Sequence, residues 1–389
     1  MKKKLISITT AHFVSTFKAE PLYTVLSPGR INIIGEHVDY NHGFVLPAAI
    51  NKYICFAISE NEGTQCTIVA MDLSDSITFD ITDVLAPGPQ MWANYLLGVL
   101  DQFKQKGLPP KGFNLVFSSN IPMGAGLSSS AALECGFGFA LNTMHDLGIS
   151  KRDIALTGQH AEHNFVGVNC GIMDQFATVF GKKGEVIQLD CDTLEYECHK
   201  ADFSNYSLLL LNSNVKHTHL TSGYNDRRRE VEAGLSILKQ HYPEISTFRD
   251  CTEQKVLAIR HVLGEKLFRR CHFVVSEIQR VLDAVAALDR ADIPELGRLM
   301  YQTHDGLSTE YEVSCPELDF LVAEARKEPE VLGARLMGGG FGGCSINLVR
   351  KGSADHVINR LGEAYRHAFG IQLEAYKVKT SNGTSLVTK

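Results

Sequence analysis

A mixed α+β fold in two domains is predicted by three observations on the 389-residue sequence. Strand-like and helix-like segments alternate, but without the regular period of a doubly wound sheet. Hydrophobic residues make up 44% of the chain, enough to bury one or two substantial cores. A polar stretch near Cys191–Ser204 precedes the strongly apolar Tyr206–Asn212. That change sets the expected boundary, with residues 1–203 forming one domain and residues 204–389 the other.

Residues 5–20 read as a short amphipathic helix, followed by a strand at Tyr23–Leu26 and a turn forced by Ser27-Pro28-Gly29. Phe44–Pro47, Ile54–Ser59, Thr67–Ala70 and Ser76–Ile81 are strand-like. Trp92–Lys106 carries apolar residues at helical spacing, and Phe113–Ser118 is a further strand. Ala131–Leu147 is a helix of small residues, and Ile154–Phe165 is a second helix. Beyond the boundary, helices are expected near Tyr224–Gln240, Glu253–Ala258, Cys271–Leu288, Ile293–Leu307, Cys315–Lys327 and Ala354–Phe369. Ala334–Met337, Cys344–Val349 and Glu374–Lys379 complete the pattern as strands.

The net charge of −6 gives no electrostatic basis for a nucleic-acid partner. The run Arg227-Arg228-Arg229 is short and followed by Glu230 and Glu232, so it reads as a solvated helix face. Ten cysteines are scattered without a C-x-x-C, which fits reduced thiols used as small core residues. After Met1-Lys2-Lys3-Lys4, the segment Leu5–Phe13 is broken by Ser7, Thr9, Thr10 and His12, unlike a signal sequence. No apolar run approaches the ~18 residues of a membrane span. A cytoplasmic protein is expected.

Chemistry concentrates in three segments. The first is Pro122–Ser130, between the strand Phe113–Ser118 and the helix Ala131–Leu147. Its glycines let a backbone approach a ligand closely, and a helix N-terminus offers unpaired N–H groups to phosphate. Serines there can donate to phosphate or ligate Mg²⁺, although a serine is also a favoured helix N-cap. The loop has no Gly-Lys-Ser/Thr, and Ser129 stands where G-x-G-x-x-G would place its third glycine. A second glycine cluster, Gly338–Gly343, has five glycines in six positions. Its backbone must pass very close to something, either another domain or a ligand.

The second segment, Arg30–Asn41, places Arg30, Glu36, His37, Asp39 and Asn41 within twelve residues. A polyhydroxylated ligand needs such a density of fixed donors and acceptors, since each buried hydroxyl must be paired. A metal site through Glu36, His37 and Asp39 is the rival reading. The third segment, Cys170–Phe176, sets Asp174 alone in an apolar stretch, where burial would raise its pKa unless a cation such as Arg30 pairs with it. Glu162 is a candidate Mg²⁺ ligand.

Together these segments resemble the galactokinases of the GHMP kinase superfamily over almost the whole chain. The resemblance rests on GRINIIGEHVDYN (Gly29–Asn41), PMGAGLSSSAA (Pro122–Ala132), CGIMDQ (Cys170–Gln175), YEVSCPELD (Tyr311–Asp319) and GARLMGGGFGG (Gly333–Gly343). It implies an N-terminal mixed sheet with helices, a C-terminal antiparallel sheet flanked by helices, and an active site in the cleft between them. It further implies transfer of the ATP γ-phosphoryl to the anomeric hydroxyl of α-D-galactose. Asp174 would act as base or positioner and Arg30 would stabilise charge. Glu36, His37, Asp39, Gly171, Asp174 and Tyr224 would surround the sugar. Trp92 would lie near adenine, and Gly124, Ala125, Gly126, Leu127, Ser128, Ser129 and Ser130 would hold the phosphates. Ser130 and Glu162 would hold Mg²⁺, and a monomer with galactose and ATP as its partners is implied.

CGIMDQ and the stretch NHGFVLP match the galactose type and not the N-acetylgalactosamine kinases. The intact Ser130-Ala131 step argues against the non-catalytic galactokinase-like sensors. His304-Asp305-Gly306 departs slightly from the related segment. A kinase for N-acetylgalactosamine or arabinose, and a galactose- and ATP-binding sensor, are the alternatives.

Overall fold

The computed structural model describes residues 2–108, 110–122, 124–216 and 220–388. The first half runs α1 (Lys2–Phe17), β1 (Tyr23–Asn32), β2 (Phe44–Val45), β3 (Pro47–Glu60), β4 (Gln65–Ala70), β5 (Asp75–Asp80), α2 (Met91–Gln105), β6 (Phe113–Ser119), α3 (Ser129–His145), α4 (Lys151–Ala161), α5 (Met173–Phe180), β7 (Glu185–Asp190) and β8 (Tyr196–Lys200). The second half adds β9 (Tyr206–Lys216), α6 (Leu220–His241), α7 (Glu253–Ala258), α8 (Arg260–Asp289), α9 (Ile293–Thr309), α10 (Pro316–Lys327), β10 (Val331–Leu336), β11 (Gly342–Arg350), α11 (Ala354–Phe369), β12 (Glu374–Val378) and β13 (Ser385–Leu386).

Three sheets result. The largest is six-stranded, in the order β13-β1-β3-β6-β4-β5, and is mixed because β4 and β6 run parallel. A four-stranded antiparallel sheet, β10-β11-β9-β12, lies in the second half. A small sheet, β2-β7-β8, completes the set. The small residues of α3 have a packing reason. A methyl group on Gly136 would lie 2.3 Å from the Phe56 ring and 2.6 Å from Ser27 Cβ, so only a bare backbone lets α3 sit this close to β1 and β3.

Several expectations need correction. Ser27-Pro28-Gly29 does not end a strand; β1 continues to Asn32 with a register shift between Pro28 and Arg30. The irregularity presses Gly29 against the loop before α3, where a methyl group would meet Leu127 O at 2.7 Å. The polar stretch at Cys191–Ser204 contains β8, an edge strand whose exposed residues hide its strand character. Gly264, at φ +70°, interrupts α8 near its start, and the sequence pattern accordingly predicts only its later turns.

The tail also crosses the expected boundary at 203/204. Val25 pairs with Leu386, and Leu26 with Ser385, so β13 belongs to the first sheet. Arg229 is solvated as expected, but Arg227 is not. Its side chain is 14% exposed and its Nε donates to Tyr311 O at 2.7 Å, because that face of α6 packs on the segment after α9. Among the described residues no helix is long and apolar enough to cross a membrane.

Candidate active site

The loop before α3 is built on left-handed backbone. Gly124 and Gly126 have φ of +72° and +69°, which glycine adopts without steric cost. Both are exposed, whereas Ala125 and Leu127 are buried in the core and leave only backbone for a ligand. Ser128, at φ +52°, stands in the N-cap position of α3 but does not cap it. Its hydroxyl donates to Asp174 Oδ2 instead. Ser129 and Ser130 open the helix, so their N–H groups are among those that find no acceptor within the helix.

The second glycine cluster forms a wall along this loop. A methyl group on Gly338 would lie 3.6 Å from Gly126 O, and one on Gly343 would lie 3.8 Å from Gly124 O. Gly340, at φ +78°, approaches Val313 so closely that a methyl group would sit 2.1 Å from its carbonyl oxygen. The cluster is therefore both a crossing between the two halves and a neighbour of the loop Gly124–Ser130.

Arg30 reaches the same place from the irregularity in β1. Its Nε donates to Asp174 Oδ1 at 2.6 Å and its Nη2 to Asp174 Oδ2 at 3.0 Å, a bidentate pair. Its Nη1 donates to Gly126 O at 2.6 Å. Asp174 opens α5 with its side chain 28% exposed, so the carboxylate stays open to a ligand. Asp39 lies close by. Burial, with Asp174 adding to it, pushes its carboxyl up to about 7. Gly171 is necessary there because a methyl group on it would lie 2.0 Å from Asp39 Oδ2.

His37 adopts a left-handed φ of +62° and is buried. Its Nδ1 lies 2.8 Å from Tyr40 Oη, which lies 2.8 Å from Tyr311 Oη. Tyr224 joins this group, with ring centroids 5.4 Å from His37 and 5.2 Å from Tyr40. Burial lowers the His37 pKa to about 3, so the imidazole is neutral. Glu36 is buried and turned toward Arg335 and Gly338 N. Glu36, His37 and Asp39 thus do not converge as metal ligands. Among the described residues, no group of three or more His, Cys, Asp or Glu could hold a metal by itself.

The Ser130 hydroxyl lies near Glu162 and partly offsets the burial that raises its carboxyl. Burial and the charge of Asp174 push Glu162 up to about 7. Trp92 is engaged on the sheet: its Nε1 donates to Asp75 Oδ2 at 2.8 Å and its ring packs on Phe117 of β6. Among the described residues, no hydrogen bond links it to the Arg30–Asp174 group.

The GHMP kinases N terminal domain matches residues 94–182, the Galactokinase galactose-binding signature residues 11–60, and the GHMP kinases C terminal region residues 284–367. Galactokinase of Clostridium perfringens (strain ATCC 13124) is 40% identical over 375 residues, covering 95% of this chain and 97% of its own. Galactokinase of Thermotoga maritima is 40% identical over 364 residues, covering 93% and 99%. Lactococcus lactis galactokinase, solved in complex with galactose, superimposes with a TM-score of 0.93 at 33% identity, covering 97% of this chain and 99% of that one. The chain belongs to the galactokinase family. A mevalonate kinase at 18% identity and a TM-score of 0.63 shares the fold.

As a galactokinase-family member the chain is an ATP-dependent kinase with the GHMP fold expected from its motifs. Two residues beside Glu162, Gln175 and Glu134, stand outside the roles expected from the motifs. Gln175 Nε2 donates to Glu162 Oε2 at 2.9 Å and to Glu134 Oε2 at 3.2 Å, bridging two buried carboxyl groups. Burial, then the charge of Glu162, raises Glu134 well above the usual carboxylate range. The signal that marked Asp174 was available here too. Glu134 is a lone acid in Ala131-Ala132-Leu133-Glu134-Cys135, inside an apolar helix face.

Proposed function

We propose that the chain transfers the γ-phosphoryl of ATP to the anomeric hydroxyl of α-D-galactose, giving galactose 1-phosphate and ADP. The observation that carries this reading is the Asp174 carboxylate, open on one side, held by Arg30 and Ser128, and set beside the loop Gly124–Ser130. Phosphoryl transfer depends mostly on positioning and on charge stabilisation. Asp174 accepts a hydrogen bond from the anomeric hydroxyl and aims its oxygen at the γ-phosphorus. The proton of that hydroxyl leaves during the transfer. It passes to Asp174 as the new O–P bond forms and the bond to the β-phosphate oxygen breaks. Arg30 holds the attacking oxygen's developing charge while it fixes the Asp174 carboxylate in place.

Asp39, His37, Glu36, Gly171 and Tyr224 surround the sugar. Neutral His37 and the tyrosines read hydroxyls as hydrogen-bond partners, and an epimer that leaves them unpaired binds poorly. Gly124, Gly126, Ser128, Ser129 and Ser130 hold the phosphates through backbone and hydroxyl groups, and Trp92 marks the adenine side. The residues present fit Mg²⁺. The Ser130 hydroxyl and Glu162 carboxylate would supply two oxygen ligands, and the pKa values of Glu162 and Glu134 are raised because both are buried without a cation partner among the described residues. When bound, the ion supplies charge neutralisation for the β- and γ-phosphates.

A coupled ADP-release assay on galactose, glucose, N-acetylgalactosamine and arabinose tests the reading. Galactose is expected to be turned over far faster than the other three. Turnover on none of them, or preference for another, overturns it.

A further inference from the structure

Arg335, on β10, has no role in the chemistry above, yet its side chain is fully buried. Its guanidinium makes five hydrogen bonds, as many as it has N–H groups. Nε donates to Ile33 O at 2.8 Å, Nη2 to Asn32 O at 2.5 Å, and Nη1 to Leu336 O at 2.5 Å. Nη1 and Nη2 also reach Glu36 Oε1, at 3.0 and 3.1 Å. All but the bond to Leu336 hold one segment, Asn32–Glu36, from a strand in the other half of the chain. β10 is itself anchored from behind: Leu336 N donates to His304 Nδ1 at 3.2 Å, and His304 Nε2 lies 3.3 Å from Asp319 Oδ1.

Glu36 Oε1 accepts one more bond, from Gly338 N at 2.8 Å. Gly338 is the glycine that lies along the phosphate loop at Gly126. One carboxylate oxygen therefore joins the sugar segment to the wall of the phosphate loop, and Arg335 fixes where that oxygen sits. Glu36 Oε2 takes none of these bonds.

We propose that Arg335 is a positioning residue that couples the two substrate sites through Glu36 Oε1. This rests on the reading of Glu36 as part of the sugar site and of Gly124–Ser130 as the phosphate site. A sugar that orders Glu36 also orders Gly338, and a nucleotide that presses on the loop orders Glu36 in return, so each ligand favours the other to the same degree. Lysine cannot replace Arg335, because an ammonium presents its donors from one point and cannot span Asn32 O, Ile33 O and Glu36 Oε1 together.

The test is titration calorimetry of wild type, Arg335→Lys, Glu36→Gln and Leu361→Ala. The titrants are a non-hydrolysable ATP analogue with Mg²⁺, galactose, and each in the presence of the other. Leu361 is buried on α11, outside the site, and its truncation reports plain destabilisation. Arg335→Lys is expected to weaken both ligands roughly tenfold or more. Glu36→Gln is expected to weaken the nucleotide analogue even without sugar, and in both variants the mutual tightening seen in wild type is lost. Leu361→Ala lowers Tm and leaves both affinities alone. Unchanged nucleotide affinity in folded Arg335→Lys or Glu36→Gln, or equal weakening by Leu361→Ala, overturns the proposal. If Arg335→Lys does not fold, Glu36→Gln decides. Wild type that binds neither ligand overturns the functional reading, and the role of Arg335 with it.

Discussion

Ser128 donates its hydroxyl to Asp174, and the helix that follows the phosphate loop begins without a side-chain cap as a result. A serine in that position ordinarily stabilises its own helix by about 1 kcal/mol. Here it is held in a left-handed backbone conformation and turned to a carboxylate 46 residues away. The loop is thus organised around Asp174 and not around α3.

Two substitutions separate these roles. Ser128→Gly removes the hydroxyl and relieves the left-handed backbone, whereas Ser128→Ala removes the hydroxyl and keeps the strain, which costs roughly 1–2 kcal/mol for a residue with a Cβ. Both are expected to lower kcat to a similar extent, while thermal unfolding finds Ser128→Gly the more stable of the two. Equal Tm values, or full activity in either, would contradict this.

Asp174→Asn keeps the shape of the side chain but cannot accept the proton. A folded protein with kcat reduced at least ~100-fold is expected, in line with the loss of a general base. Steady-state rates alongside a circular dichroism melt check it; near-normal kcat would remove Asp174 from the chemistry.

Gly171→Ala places a methyl group where Asp39 Oδ2 now lies, 2.0 Å away. The carboxylate must move, because no methyl group tolerates an oxygen at that distance. The KM for galactose is expected to rise ~10-fold or more, since a misplaced partner leaves a hydroxyl unpaired. The KM for ATP should change far less. A matched rise in both would show that the loop had moved as well.

Asp39 and His37 make opposite contributions to stability as pH changes. The Asp39 carboxyl is raised from 3.8 to about 7 by burial, so between those values the folded state keeps a proton that the unfolded chain has lost. Its contribution to stability therefore falls as pH rises through that window. His37 is lowered from 6.5 to about 3, so there the unfolded chain holds the extra proton, and stability rises with pH. Asp39→Asn removes the first slope and leaves the second. Chemical denaturation of ligand-free protein from pH 4 to pH 7 should show the variant gaining stability relative to wild type as pH rises. A constant difference across the range would rule out a raised Asp39.

Much of the site was legible because its chemistry demands particular residue types. Positive φ next to a ligand calls for glycine at Gly124 and Gly126, a helix N-terminus for phosphate calls for small hydroxyl residues, and a lone acid in an apolar stretch calls for a cation. Residue types and spacing alone were enough for the α+β class and the family, and they named Arg30 as a candidate cation for Asp174. Tertiary packing settled which partner Ser128 takes, that Gly171 makes room for Asp39, that β13 returns to β1, and that Gln175 bridges Glu134 and Glu162. It alone brought Arg335 to Glu36. The physical reason is shared by all of these. They are contacts between residues far apart in the chain, selected by packing and by the need of each buried donor or acceptor for a partner, and such contacts leave no periodicity or spacing to read.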